Sequence, residues 1–328
     1  MSSYINGNYI VTKSGYNTKY ETFRFNEDFK PSFPDSIDLK ITNRCNFGCP
    51  YCHEISVSSG KCFDLENTKK LLSQLPKGIE IAIGGGDIAT VDKDTLRELV
   101  KFCNGKSFDI RATINVKNLD NTQAISEIIL PNFNVLGVSI SSFDDLEKTK
   151  SILSKLSSET YSRVRIVYHV IVGVLPIQDL EKILHYFSEI KEKYSILSMS
   201  MLIELGVLVL GFKQFGRASG MSLDQDIVSQ WKSVLSKEIY STRYDKSKNK
   251  FCIGFDNLAV DQLSLREMLL ESEWDKFYLG EDFSHTMYVD AVEETFAPTS
   301  RSPKSERVSW SEMGIIDYFK ENHKKWSL

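Results

Sequence analysis

The stretch CNFGCPYC, residues 45–52, holds three of the six cysteines of the chain within eight positions. The other three, Cys62, Cys103 and Cys252, are dispersed. In a reducing compartment, clustered cysteines indicate a metal or catalytic site more than a disulfide framework. Four thiolates close a tetrahedral structural site, whereas three leave one coordination position open. The spacing Cys-x3-Cys-x2-Cys therefore predicts a metal centre with an open, reactive position.

The composition is that of a globular protein. The chain has 328 residues, 41% of them apolar and 26% charged, with a formal net charge of −4. This charge argues against dedicated nucleic-acid binding and against an anionic membrane as partner. The amino terminus lacks a signal-peptide pattern, so a cytoplasmic location is expected. The apolar run at 195–212 contains one glutamate and two glycines, which favours a buried strand over a membrane span.

Strand-like and helix-like segments alternate from residue 37 onwards. The predicted strands are residues 37–42, 79–85, 108–116, 134–141, 163–174 and 206–212. The predicted helices are residues 65–75, 93–103, 122–130, 144–156, 177–194 and 225–240. Parallel strands with right-handed crossover helices give this order. We therefore predict an α/β fold in which residues 36–245 form a partial (β/α) barrel.

Both ends of the chain lie outside this alternation. Residues 1–35 are polar and tyrosine-rich, with Asn6-Gly7 and Ser14-Gly15 turn signals, which predict a short β-ribbon. Residues 246–328 contain the strand-like pieces FCIGF and HTMYVDAV, and we expect them to close the barrel. The cysteine stretch begins three residues after the first core strand. It therefore lies at the carboxyl ends of the strands, where barrels of this kind carry their chemistry.

These features resemble the radical S-adenosylmethionine (SAM) enzyme superfamily. The resemblance rests on the cysteine spacing, on Tyr51 before the last cysteine and on the position of the loop; the carboxy-terminal third resembles members from bacterial and phage genomes. In that family three cysteines hold a [4Fe–4S] cluster, and the fourth iron binds SAM. An electron from the cluster cleaves SAM to a 5′-deoxyadenosyl radical, which abstracts a substrate hydrogen. The resemblance implies Cys45, Cys49 and Cys52 as cluster ligands and Tyr51 beside the adenine.

A second motif follows the second core strand. Gly84, Gly85, Gly86 and Asp87 stand where the family often has Gly-Gly-Glu-Pro, whose backbone contacts the amino group of SAM. Glycine suits such a position because a ligand must approach the backbone closely. Asp87-Ile88 departs from the usual Glu-Pro, and which glycine aligns with which stays open.

The resemblance also implies SAM contacts from short polar side chains at the ends of later strands. The candidates are Asn115, Ser139 and Ser141, with Thr113 and His169 as further ones. A histidine in an apolar strand is more often a hydrogen-bonded core residue.

Four further residues, two after the sixth strand and two near the cysteine stretch, each have two interpretations. Lys213 and Arg217 follow the sixth strand and either hold an anionic group of the substrate or of SAM, or form a solvated strand end. His53 and Cys62 are predicted to be a locally bonded histidine and an inert loop thiol. The alternative is a zinc knuckle that takes one of them as its fourth ligand.

The carboxy-terminal third offers candidates for substrate chemistry. If FCIGF is a seventh strand, Cys252 is a candidate hydrogen-atom donor inside the barrel, as in some radical SAM epimerases; otherwise it is a small buried apolar residue. Asp256, Asn257 and Asp290 are candidate substrate contacts.

The expected cofactors are one [4Fe–4S] cluster and SAM. Only Cys252 follows residue 103, so further clusters held wholly by thiolates are not expected. The expected partners are a one-electron donor such as flavodoxin or ferredoxin, and as substrate either a peptide side chain or a nucleotide or small metabolite. The non-enzymatic alternative is a cysteine-cluster protein that binds iron–sulfur or zinc without SAM chemistry.

Overall fold

The computed structural model describes residues 2–14, 17–24, 27–119, 124–155, 165–194, 203–244 and 252–326. The chain divides into two compact units. The first unit comprises residues 1–48, 56–112 and 275–328, and the second comprises residues 49–55 and 113–274.

The described residues contain the following strands and helices. The strands are β1 (Ser2–Asn6), β2 (Tyr9–Ser14), β3 (Asn17–Thr22), β4 (Ser36–Thr42), β5 (Glu80–Gly85), β6 (Asp109–Asn115), β7 (Val135–Ser139), β8 (Arg165–Ile171), β9 (Ile203–Leu210), β10 (Cys252–Phe255), β11 (Thr286–Asp290), β12 (Thr295–Ala297) and β13 (Val308–Ser309). The helices are α1 (Leu65–Leu72), α2 (Lys93–Gly105), α3 (Phe143–Lys155), α4 (Ile177–Tyr194), α5 (Gln225–Tyr244), α6 (Asn257–Gln262), α7 (Leu265–Met268), α8 (Glu271–Phe277) and α9 (Ile315–Asn322).

The first unit is built on parallel strands. β4 pairs with β5 on one side and with β11 on the other, and β5 pairs with β6, all in parallel. β12 and β13 then extend β11 in antiparallel pairing. Lys40 of β4 is in register with Gly84 of β5 and Asp290 of β11, so these three residues meet near the carboxyl ends of their strands.

Burial and capping explain why the central elements of the first unit form. β4 (SIDLKIT) is buried at five of its seven positions, as expected for a strand covered on both faces. Asp64 caps the start of α1, and its side chain accepts a hydrogen bond from the Asn67 amide. Asp92 caps α2 and accepts in the same way from the Thr95 amide. These caps satisfy amides that a helix start leaves unpaired.

The second unit contains the parallel strands β7, β8, β9 and β10, which pair in that order. In β8 the buried residues Ile166, Tyr168 and Val170 alternate with partly exposed ones. One face of this strand is therefore covered, and the other carries His169, which is partly exposed.

The amino-terminal ribbon consists of β1, β2 and β3 in antiparallel pairing. The Tyr4 and Tyr9 hydroxyls donate hydrogen bonds to Asp35, which precedes β4. Lys13 donates to Asp109 at 3.2 Å, at the start of β6. The ribbon therefore lies at the amino-terminal ends of the parallel strands, opposite to the ends that lead into the cysteine and glycine loops.

The predicted α/β fold with parallel strands and an amino-terminal ribbon is confirmed, whereas the segment boundaries at 35 and 245 stay predictions. Within the predicted helix at 122–130, Ile125–Ile129 is π-helical and Leu130–Asn132 continues it as α-helix, while residues 122–123 lie outside the described residues. Of the apolar run, residues 203–210 form β9 and residues 195–202 lie outside the described residues. Within the described ranges, the helices are too short or too polar to cross a membrane.

Candidate functional site

The cysteine loop, residues 45–52, follows β4. In the first unit, the Cys45 amide donates a hydrogen bond to the Val57 carbonyl oxygen at 3.0 Å. In the second unit, the Cys52 amide donates to the Cys49 carbonyl oxygen at 3.2 Å and closes a turn. Gly48 has a φ of +59°, which glycine adopts without steric cost. All three cysteines are half-buried and outside any disulfide.

The zinc-knuckle alternative requires His53 or Cys62 as the fourth ligand of one ion. The Cys62 sulfur lies 3.3 Å from the Thr42 hydroxyl, beside the carboxyl end of β4. Among the residues that the structure describes, no three His, Cys, Asp or Glu side chains converge on one point as ligands of a single ion do.

The glycine turn, residues 84–87, packs against the chain that leads into the cysteine loop. The Gly86 amide donates to the Thr42 carbonyl oxygen at 2.6 Å, and the Asp87 amide donates to the Arg44 carbonyl oxygen at 2.9 Å. A Cβ at Gly86 would lie 2.3 Å from the Arg44 oxygen, whereas a Cβ at Gly84 would meet no heavy atom within 4 Å. Gly86 is therefore required by packing, and Gly84 faces open space.

Asp87 holds the end of this turn rather than facing solvent. Its carboxylate is 2% exposed and accepts a hydrogen bond from the Ala89 amide at 2.9 Å. The Thr90 hydroxyl contacts both the Asp87 and Arg44 carbonyl oxygens. The departure from Glu-Pro thus leaves a turn that is fixed by its own side chains.

Tyr51 lies in the second unit beside Cys49. Burial raises the pKa of its hydroxyl to about 12, and the neighbouring Cys49 and Asp145 add to the shift. The phenol is therefore neutral at pH 7 and carries a proton that it can donate.

Two of the predicted SAM contacts make local capping interactions. Asn115 ends β6, and its side chain accepts a hydrogen bond from the Lys117 amide at 3.0 Å. The Ser141 hydroxyl donates to Asp145 at 2.9 Å at the start of α3. Sequence reasoning missed Asp145, although Ser142-x-x-Asp145 is a recognisable signal for a helix start.

Ser139 and His169 are neighbours in register on β7 and β8. A Cβ at Gly137 would lie 2.3 Å from the His169 ring, so glycine at this position makes room for the imidazole. Burial lowers the pKa of His169 to about 4, and the ring is neutral at pH 7. Thr113, the remaining candidate at these strand ends, is partly buried in β6.

Lys213 and Arg217 contact the cysteine loop in the second unit. Lys213 Nζ lies 3.3 Å from His53 Nε2. Arg217 Nε donates to the Cys49 carbonyl oxygen at 2.8 Å, and its amide donates to the Cys52 carbonyl oxygen at 3.0 Å. Neither of the two sequence interpretations foresaw these contacts, because the residues are separated by 160 positions or more.

The carboxy-terminal candidates have different environments. Cys252 begins β10, and its side chain is exposed; its role as a hydrogen-atom donor stays a prediction. The Asp256 carboxylate caps α6, which begins at Asn257, and accepts from the Gly211 amide at 2.9 Å. Asp290 is fully buried.

Asp290 is the centre of a buried charge cluster in the first unit. Its Oδ2 accepts from Lys40 at 3.0 Å and from Arg307 at 2.9 Å. Its Oδ1 accepts from the amides of Val292 and Glu293. The carboxylate is thus fully engaged, which does not fit the prediction of a direct substrate contact.

Comparisons with known proteins agree with this architecture. No protein-family model matches the chain. The chain is 34% identical over 117 residues to a probable GTP 3′,8-cyclase of Methanothermobacter thermautotrophicus, a match that covers 34% of this chain and only 35% of that protein.

Two solved structures share the fold over most of the chain. SuiB of Streptococcus suis bound to S-adenosylmethionine has a TM-score of 0.59 at 12% identity, covering 88% of this chain and 66% of that one. The enzyme anSMEcpe with bound AdoMet has a TM-score of 0.57 at 16% identity, covering 87% of this chain and 80% of that one. Both are radical SAM enzymes. The chain shares the fold of these two enzymes. This fold is the predicted partial (β/α) barrel, and both neighbours have also been solved with peptides.

Proposed function

We propose that the protein is a radical SAM enzyme in which Cys45, Cys49 and Cys52 hold a [4Fe–4S] cluster. The donor set fits: three half-buried free thiols stand on one loop at the spacing Cys-x3-Cys-x2-Cys. The sulfurs need not converge on one point, because each would bind a different iron. When bound, the reduced cluster supplies the electron that cleaves SAM to a hydrogen-abstracting radical.

The observation that carries this proposal is the contact between the glycine turn and residues 42–44, which lead into the cysteine loop. Gly86 and Asp87 bind the backbone of Thr42 and Arg44, so the turn is held directly beside the chain that enters the loop. Gly84 leaves an open backbone surface, which suits the amino group of SAM. A zinc knuckle has no need of such a surface, and the same holds for a sensor without SAM chemistry.

The remaining SAM contacts follow from the strand ends. The neutral Tyr51 phenol would lie beside the adenine and could donate a hydrogen bond. Ser139 and the neutral His169 offer hydrogen-bonding groups for the ribose or the carboxylate. Asn115 and Ser141 would support SAM binding by fixing the turns that they cap.

We propose a peptide side chain as the substrate. The support is that SuiB was solved with its precursor peptide SuiA and anSMEcpe with the peptide Cp18Cys. A nucleotide is the second candidate, because the curated relative is a probable GTP 3′,8-cyclase. The electron would come from a small donor such as flavodoxin or ferredoxin, and the free thiols suit the reducing cytoplasm.

The test is anaerobic reconstitution with iron and sulfide, followed by reduction with dithionite. We expect an electron paramagnetic resonance (EPR) signal of a reduced [4Fe–4S] cluster that changes on addition of SAM, together with release of 5′-deoxyadenosine. Cys49→Ala should abolish both readouts. Cys103→Ala, which removes a buried thiol outside the loop, should leave both unchanged.

The outcomes separate the candidate functions. A zinc-loaded, EPR-silent protein that leaves SAM intact would contradict the proposal and favour the structural knuckle. Once SAM cleavage is established, deuterated peptides and deuterated GTP can be compared directly. Deuterium transfer into 5′-deoxyadenosine from GTP, but not from any peptide, would overturn the peptide assignment.

A further inference from the structure

The segment Gly211–Ala218, here called the strap, follows β9 in the second unit and is fixed at its base by α6. The Gly211 amide donates to Asp256 Oδ1 at 2.9 Å. The Phe212 amide donates to Gln262 Oε1 at 2.8 Å, and Gln262 Nε2 returns a hydrogen bond to the Phe212 carbonyl oxygen at 2.9 Å. Three hydrogen bonds within two residues give the strap a rigid origin.

The far end of the strap binds two carbonyl oxygens of the cysteine loop. Arg217 Nε donates to the Cys49 oxygen at 2.8 Å. The Arg217 amide donates to the Cys52 oxygen at 3.0 Å. One residue thus spans the Cys-x2-Cys half of the loop, and both of its contacts are to proposed cluster ligands.

The close approach of the two backbones requires glycine beside Arg217. Gly216 has a φ of +65°, and a Cβ there would lie 2.3 Å from the His53 oxygen and 2.8 Å from the Cys52 oxygen. The Phe215 ring packs edge-on against His53 at 5.6 Å between ring centroids. The strap therefore covers the carboxyl end of the loop as well as its middle.

We propose that Arg217 is a positioning residue for the cluster, an inference that rests on the proposed function. Its hydrogen bonds fix the backbone of Cys49 and Cys52, so that the two sulfurs are preorganised before iron binds. Its half-buried guanidinium also places a positive charge beside the ligand set. A fixed cation near a cluster favours the more negatively charged reduced state and raises the reduction potential.

The variants Arg217→Gln and Arg217→Lys separate the two effects. Glutamine removes the charge and the guanidinium fork, whereas lysine keeps the charge but loses the fork geometry. Arg266→Gln is the matched control, because Arg266 lies in the same unit and pairs with the exposed Glu271 at 2.6 Å. We expect that the control equals wild type in every readout.

The first readout does not depend on activity. Hydrogen–deuterium exchange of the full-length chain is followed on peptides covering residues 45–56, before and after iron–sulfur loading. In the unloaded chain, both Arg217 variants should exchange about tenfold faster than wild type, since a tenfold change corresponds to loss of about one charge-assisted hydrogen bond. Equal exchange in wild type and Arg217→Gln would overturn the positioning role.

The second readout is the midpoint potential of the loaded cluster, from a redox titration monitored by EPR. Arg217→Gln should shift the potential to a more negative value, and Arg217→Lys should stay close to wild type. An unchanged potential in Arg217→Gln would overturn the electrostatic part of the proposal. If wild type fails to cleave SAM while exchange responds as expected, the proposed function fails and the positioning role stands.

Discussion

Replacing single glycines in the turn at residues 84–87 distinguishes a glycine that contacts SAM from a glycine that is required by backbone packing. Gly84→Ala adds a methyl group where no heavy atom lies within 4 Å. We expect the free energy of unfolding to stay within about 1 kcal/mol of wild type, because alanine also reduces the entropy of the unfolded chain. The methyl group would nevertheless cover the open backbone surface. The Kd for SAM should therefore rise about tenfold, the equivalent of one lost hydrogen bond.

Gly85→Ala is the contrasting variant at the adjacent position. Gly85 has a φ of +133°, and its Cβ would lie 2.4 Å from the Thr42 oxygen. Backbone strain and the clash together should cost about 2–3 kcal/mol. Urea unfolding measures the free energy of unfolding of each variant. Calorimetric titration of reconstituted protein with SAM measures the Kd for SAM. Wild-type SAM affinity in Gly84→Ala, or equal destabilisation by both variants, would refute the assignment of Gly84.

Two further predictions concern buried charge in the first unit. Asp290→Asn should cost about 3–5 kcal/mol in urea unfolding, because Lys40 and Arg307 would be left buried without their shared carboxylate; a loss below about 1 kcal/mol would show that the cluster is dispensable. Burial lowers the pKa of His285 to about 4, below its unfolded value near 6.5, so its stabilising contribution is complete above pH 6.5 and is lost as the pH falls towards 4. The wild-type free energy of unfolding should therefore fall by about 2 kcal/mol more between pH 7 and pH 5 than that of His285→Phe, which preserves stacking on Trp326. An equal fall in wild type and variant would contradict the pKa assignment.

The sequence was sufficient to predict the parallel strands and the loops that carry the candidate site. Strand and helix periodicities are local, so β4, β5 and α2 could be located from short windows. The cysteine spacing and the glycine run are also local signals. The placement of both at the carboxyl ends of their strands follows from the rule that chemistry gathers there.

Other features of the site depend on partners that are distant in sequence. Asp290 was predicted to contact substrate, but its carboxylate is engaged by Lys40, 250 positions away. Nothing in the pattern around HTMYVDAV indicates that β11 pairs with β4 and brings these charges together. Likewise, Arg217 in GFKQFGRA has no local feature that specifies the Cys49 carbonyl oxygen as its acceptor. Such pairings are set by tertiary packing, which single-sequence patterns do not encode.

The amino-terminal ribbon has a consequence for synthesis of the chain on the ribosome. The Tyr9 and Phe29 rings pack against Trp326, with ring centroids 5.4 and 4.5 Å apart. The Phe29 amide also donates a hydrogen bond to the Trp326 carbonyl oxygen. The strands made first therefore lack their aromatic partner until residue 326 has left the exit tunnel. Completion of the first unit must therefore wait for residue 326, and a nascent chain arrested before that point would expose the apolar side of its ribbon to chaperones.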